Sequence, residues 1–278
     1  MTAGPEQQAD FLRRLSLNQA TTELWGMAET IDGCRRAGLG WIGLWRHKVA
    51  EIGVAETARR VRSAGLQVSS LCRGGFFPAA SQPERLQRID DNRRAVDEAV
   101  ELGASVLVLV CGPAPDRDLD GARQMVEDGI RAVVPYAAER GVRLAIEPLH
   151  PMFAGDRSVI VTLAQANALA ERIDSPSVGV AVDVYHVWWD PAVYVEIARA
   201  GSRILGLHLS DWLVPPPDHL LGRGMMGDGV IQLRRLREAA DAAGYTGPIE
   251  VEIFNQRIWD TPGDQVLALM KERYLSEC

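Results

Sequence analysis

Cysteine is scarce in this sequence. The four that occur, Cys34, Cys72, Cys111 and Cys278, are scattered, and none forms a CxxC pair. In a chain of this size that pattern argues against a disulfide framework and for a reducing compartment. Long apolar runs are missing as well. No stretch of 18 or more apolar residues occurs, so no membrane span is expected. The opening residues, MTAGPEQQADFLRRL, lack the apolar core of a secretory signal, and a cytoplasmic location is expected. Basic residues are in deficit, with 30 Lys and Arg against 37 Asp and Glu and a formal net charge of −7. A nucleic-acid-binding protein normally carries a basic stripe, so no nucleic-acid partner is expected. A glycine-rich phosphate fingerprint is absent too. LSLNQATT stands where a doubly wound nucleotide-binding fold would place one after its first strand.

What the sequence does have is a repeated unit of amphipathic helix, glycine and short apolar strand. The junctions read RAG-LGWIGLW, SAG-LQVSSLC, ELG-ASVLVLV, ERG-VRLAIEP, RAG-SRILGLHLS and AAG-YTGPIEVEIF. Their glycines, Gly38, Gly65, Gly103, Gly141, Gly201 and Gly244, stand where a helix closes on a left-handed residue. With LSLNQ at the start and VGVAVDV in the middle, eight strands are expected, at 15–19, 41–45, 67–72, 105–111, 143–147, 178–184, 203–210 and 249–254. Helices are expected at 21–37, 53–64, 83–102, 119–140, 159–173, 191–200, 230–243 and 263–275, with Thr21, Pro83, Ser158 and Pro191 near their first turns. Strict alternation of this kind builds a parallel sheet with helices outside. Eight units give a single (β/α)₈ TIM barrel over residues 1–278. Residues 212–229 are too long for a bare connection and are expected to form a lid or binding loop.

In such a barrel the active site lies at the C-terminal strand ends. Strand five ends at Glu147, strand six carries Asp183, strand seven His208 and strand eight Glu252. Side chains alternate along a strand. That alternation turns all four inward above the small residues Ala145, Ala181 and Gly206, with Leu205, Leu207 and Leu209 facing the helices. Three carboxylates and one imidazole converging on one point repel each other unless a cation is present. An oxygen-rich set with a single imidazole suits Mn²⁺ first, with Mg²⁺, Co²⁺ or Zn²⁺ as alternatives. Glu147, Asp183, His208 and Glu252 are therefore expected to hold one divalent metal ion. Glu250, one layer deeper, is expected to pair with Arg143 across the barrel floor, because a buried carboxylate needs compensation.

The contexts IEPLHP, VDVYH, LHLSD and EVEIF resemble the xylose-isomerase-like barrel superfamily of sugar isomerases, epimerases and dehydratases. The resemblance covers nearly the whole chain and is densest over 143–254. It implies that Glu147 and Glu252 also transfer protons beside the substrate carbon, and that His186 and Arg223 contact substrate. The implied chemistry is coherent. Removing a proton beside a carbonyl creates an enediolate whose charge a metal disperses, with a carboxylate as base. The EPLHP context also resembles the catalytic subunit of C-glycoside deglycosidases, which cleave 3-oxo-C-glycosides with a small partner subunit. There His150 would act as acid or base. A metal-dependent sugar isomerase or epimerase is the first expectation, and a lyase of the same superfamily the second.

Trp45, Trp188, Trp189 and Trp212 follow strand ends and can stack on a sugar face. Arg46 and Arg73 also lie just past strand ends, where anionic groups bind, although no glycine-rich cradle favours a phosphorylated substrate. Asp211 is expected to cap or to face the surface rather than bind a second metal. Asp228 is expected to cap helix seven. The expected partner is a small carbohydrate, with a homo-oligomer or a small subunit as a further possibility.

Overall fold

In the computed structural model, eight parallel strands close on themselves: Leu15–Asn18, Trp41–Trp45, Gln67–Gly75, Val106–Val110, Arg143–Glu147, Val178–Asp183, Ile204–Leu209 and Ile249–Val251. The first pairs with the second and with the last, and every other strand pairs with its chain neighbours. The structure describes residues 5–278, so residues 1–4 of the expected 1–278 domain lie outside the described residues. The strands are apolar because both faces are covered, by the barrel interior and by the helices. Val106–Val110, read VLVLV, is buried throughout.

Eight principal helices form the outer ring: Met27–Ala37, Val54–Ser63, Gln82–Leu102, Leu119–Glu139, Leu163–Ile173, Val193–Ala200, Leu233–Ala242 and Gly263–Glu277. A further helix, Pro5–Leu12, packs against the last of them. All six junction glycines have positive φ, from +52° at Gly201 to +95° at Gly244. Helix starts were harder to read. Pro83 does sit in a first turn, behind a Ser81–Glu84 capping box. Ser158 caps nothing and bonds with Ile160, while Thr162 caps the helix at Leu163. Thr21 is a rivet, its hydroxyl donating to the Val251 carbonyl and accepting from Ile253 N–H.

One parity expectation fails. A register shift between the sixth and seventh strands, at Val180/Ala181, moves Leu205 into the barrel interior. There it packs with Cys72, Val106, Val108, Ala145 and Ala181, while Ile204 joins the outer core. Leu207 and Leu209, beyond the shift, face the helices as expected. All four cysteines are buried and free. Among the described residues no helix is long and apolar enough to cross a membrane.

Candidate metal centre

Glu147 and Asp183 close their strands, and His208 is the penultimate residue of its own. Glu252 follows one residue after the eighth, its N–H still held by the Leu209 carbonyl at 3.0 Å. Asp183 and His208 are register partners on adjacent strands. All four side chains are buried, and each offers one ligand atom within 4.8 Å of the others. His208 Nδ1 lies 3.2 Å from Glu147 Oε1 and 3.9 Å from Glu252 Oε2. Glu147 Oε1 and both His208 ring nitrogens nonetheless lack a hydrogen-bond partner. Buried polar atoms are almost always satisfied. Glu147 Oε1 and His208 Nδ1, orphaned side by side among the four clustered ligand atoms, are what a cation site requires, so the residues fit the expected divalent ion.

Arg223 completes the cluster. Its Nη1 donates to Asp183 Oδ2 at 2.8 Å and Glu252 Oε2 at 2.9 Å, and its guanidinium lies over the rings of Tyr185 and Phe254. It arrives through a two-residue antiparallel ribbon, Arg223–Gly224 against Asp211–Trp212. Asp211 anchors that ribbon by accepting from the N–H groups of Trp212, Gly227, Gly229 and Ile231. The expected capping role thus becomes loop bracing. Asp228 does not cap the following helix; it pairs with Arg273, and Gln232 holds the cap position without a side-chain bond.

Glu250 does not meet Arg143, which is exposed at the start of its strand. Its carboxylate instead accepts from Asn18 Nδ2 and Ser69 Oγ, each at 2.7 Å, and faces His208 Nε2 at 3.8 Å. Gly43 makes the room, since a Cβ there would stand 2.3 Å from Glu250 Oε2. Sequence reading missed Asn18 and Ser69 as parts of this support. The only signal was polar residues on strands otherwise apolar.

His186 is buried with Nδ1 accepting from His150 N–H at 3.1 Å, and with Nε2 3.2 Å from Arg223 and 3.5 Å from Asp183. His150 overhangs through rings, 5.0 Å from Trp212 and 5.5 Å from Trp189 between centroids. Trp212 also packs on Tyr185 and Trp188. Trp45 donates to Asn18 Oδ1 and meets Phe254 edge-on. Arg46 reaches the mouth, but its nitrogens are engaged by Glu98 and Asp91.

The electrostatics follow from four acids facing two bases. Burial pushes the Glu147 carboxyl up, partly offset by His208. Burial pushes Glu252 up to about 8 against the pull of Arg223 and His208. Burial opposes the charged form of Asp183, but Arg223, His186 and His208 outweigh it and hold the group below its ordinary value. His208 is pulled down by burial and driven up to about 10 by Glu250, Glu147 and Glu252. Without a metal, Glu252 and His208 both hold protons more tightly folded than unfolded. Stability is therefore lost as pH rises, through about 8 for Glu252 and about 10 for His208. A bound cation replaces those protons. The rise in Tm on adding Mn²⁺ should thus be larger at pH 8 than at pH 6. An equal or smaller rise at pH 8, measured by thermal melts, would count against this charge arrangement.

Fold and site together define a (β/α)₈ barrel whose mouth holds a buried Glu/Asp/His/Glu cluster suited to a metal. A family model, the xylose isomerase-like TIM barrel, matches residues 31–273, and the chain belongs to that family. The crystal structure of protein SMc04130 from Sinorhizobium meliloti 1021 is similar at a TM-score of 0.94 and 53% identity, covering 96% of this chain and 99% of that one. A 3-dehydroshikimate dehydratase from Pseudomonas putida is 31% identical over 204 residues, 70% of this chain. The chain spans 31% of that dehydratase's length. The L-ribulose-5-phosphate 3-epimerase UlaE of Shigella sonnei is 23% identical over 210 residues, 73% of this chain and 70% of its own.

Proposed function

We propose that the protein is a divalent-metal-dependent sugar isomerase or epimerase, acting beside the carbonyl of a keto-sugar or related polyol. The observation that carries this reading is the pair of buried carboxylates, Glu147 and Glu252, both beside His208 and sharing one cluster. Similarity to a sugar-phosphate epimerase and to a dehydratase supports the reaction class. Mn²⁺ is the ion we favour, with Mg²⁺, Co²⁺ and Zn²⁺ as alternatives. Such an ion, when bound, polarises the carbonyl and disperses the negative charge that forms next to it.

The chain's own groups move the proton. One carboxylate takes it from the carbon beside the carbonyl, and the C–H electrons pass to the carbonyl oxygen as an enediolate. The other, held protonated as a carboxylic acid, delivers its proton from the opposite face, which inverts the carbon. Delivery to the former carbonyl carbon, with the hydroxyl proton of the first carbon passing to the enediolate oxygen, gives the isomer instead. His186 and Arg223 orient the substrate oxygens, and Trp45 and Trp212 offer apolar faces to the sugar. The small-molecule substrate and a cytoplasmic setting belong to the same proposal.

One feature favours a second reading, a lyase of the same family. His150 Nδ1 accepts from Met152 N–H at 3.2 Å, which leaves the neutral ring's proton on Nε2. Among the described residues that Nε2 has no partner, and burial lowers the histidine's pKa. A neutral imidazole with a free N–H can hydrogen-bond the oxygen on which charge develops as a group departs. That suits a C-glycoside deglycosidase subunit acting on 3-oxo-C-glycosides with a small partner, or a dehydratase.

The test is deuterium uptake from D₂O into a panel of ketoses and 3-oxo-sugars, with Mn²⁺ and with chelator. Metal-dependent exchange at one carbon is the expected result, and no exchange on any compound would overturn the proposal. His150→Ala separates the two readings. A loss of about tenfold or more confined to 3-oxo-glycosides favours the lyase. Unchanged rates on every compound favour the isomerase.

A further inference from the structure

A cavity of about 470 Å³ opens beside the metal centre, where the second and third strands end. Trp45, Arg46, Cys72, Arg73, Phe76 and Arg88 line it. It adjoins the carboxylates: after burial, the charges of Glu252 and Glu147 are what push the Cys72 thiol up. Trp45 bridges the two spaces, holding Asn18 on one side and touching Phe254, the platform of Arg223, on another.

The cations around this cavity are not alike. Arg46 is saturated by Glu98 and Asp91, and Asp91 also takes Arg94. Arg73 is half-buried, stacks 4.1 Å over the Phe76 ring, and has no carboxylate partner among the described residues. Arg88, exposed at the rim, has none either. Burial disfavours the charged form of Arg73, and the neighbouring charges of Arg157, Arg46 and Arg88 add to that cost. In a chain with net charge −7, carboxylates are plentiful enough to have paired with it. Asp91, the carboxylate of the same lining, is already held by Arg46 and Arg94, so a half-buried guanidinium among these cations gains from an arriving anion. The Phe76 stack fixes the plane of the guanidinium, which presents its donors as a fork matched to a carboxylate or phosphate.

We propose that the substrate carries an anionic group, carboxylate or phosphate, at the end remote from the reacting carbonyl, and that Arg73 binds it with Arg88 at the rim. This rests on the sugar isomerase or epimerase reading for the identity of the rest of the substrate. The subsite itself is a property of the cavity.

The test is calorimetric titration of the Mn²⁺-loaded protein, wild type and variants, with methyl phosphate and with acetate. The wild type should bind at least one, and the preferred anion tells phosphate from carboxylate. Arg73→Ala should weaken that binding about tenfold or more, and Arg73→Lys should restore part of it. Metal content and circular dichroism should match the wild type. Should Arg73→Ala fail to fold, Arg88→Ala at the exposed rim should weaken the same anion by a smaller factor. No binding by the wild type, or binding unchanged in the variants, overturns the proposal; an anion held on the metal alone gives the latter. Anion binding lost in Arg73→Ala, with no deuterium exchange on any sugar, keeps the subsite and removes the isomerase reading. Exchange on neutral keto-sugars without anion binding does the reverse.

Discussion

Asp183→Ala and His208→Ala should each leave a folded barrel that no longer retains a divalent ion. Asp183 is fully buried, with Oδ1 on Tyr185 N–H and Oδ2 on Arg223. Losing one partner of a buried ion pair is usually costly. Here the cluster holds four carboxylates, Glu147, Asp183, Glu250 and Glu252, against His208 and Arg223. Removing Asp183 relieves a surplus of like charge, and Arg223 keeps Glu252 at 2.9 Å. Removing His208 deepens that surplus, which Glu147 and Glu252, already pushed up by burial, offset by taking up protons. The metal-free fold should therefore survive. Metal retention should not, because the donors come from four separate strand ends and each supplies one ligand atom to the cluster. After desalting, metal content by atomic emission should fall to about a tenth of wild type or less, a loss comparable to removing a charge-assisted contact or more. Wild-type metal content in both variants would refute the site.

Glu252→Gln should keep the fold and lose turnover. The amide matches the carboxylate in shape and removes a charge that burial already disfavours, so the metal-free melting temperature should stay level or rise. It cannot accept the substrate proton. A positioned general base contributes about 10²–10⁴ in rate, and the exchange rate at saturating Mn²⁺ should drop by that order. Measuring bound metal in the same samples separates a lost base from a lost ligand. Full exchange activity would take Glu252 out of the proton-transfer role.

Much of this architecture could be read from residues alone. The glycine-closed helices and apolar strands specify the barrel, because each junction needs a left-handed residue and each strand is covered on both sides. The gathering of Glu147, Asp183, His208 and Glu252 at one point is what alternation at strand ends leads one to expect. Alternation fails where the ladder is irregular: the shift at Val180/Ala181 sends Leu205 inward, and no residue type announces it. It also gives a face without giving a neighbour. Strand tilt decides which residues share a level. That is why Glu250 meets Asn18 and Ser69 from the first and third strands, while Arg143 stays exposed at its strand's start. Arg223 stands fifteen residues beyond His208, and only the ribbon held by Asp211 brings it back to the centre. Local patterns carry no information about such a return.

That ribbon bears on how this scaffold could acquire new substrates. Asp211 fastens the far end of the loop at Gly227, Gly229 and Ile231, and Arg223 is paired on Trp212, so its guanidinium is tied down on both flanks. The intervening residues 214–219 are exposed, and Val214 is 68% exposed. Exposed loop tips are where insertions are best tolerated. Randomised or lengthened libraries at 214–219 should diversify the rim of the mouth without dislodging the guanidinium, which makes this segment the natural entry point for directed evolution.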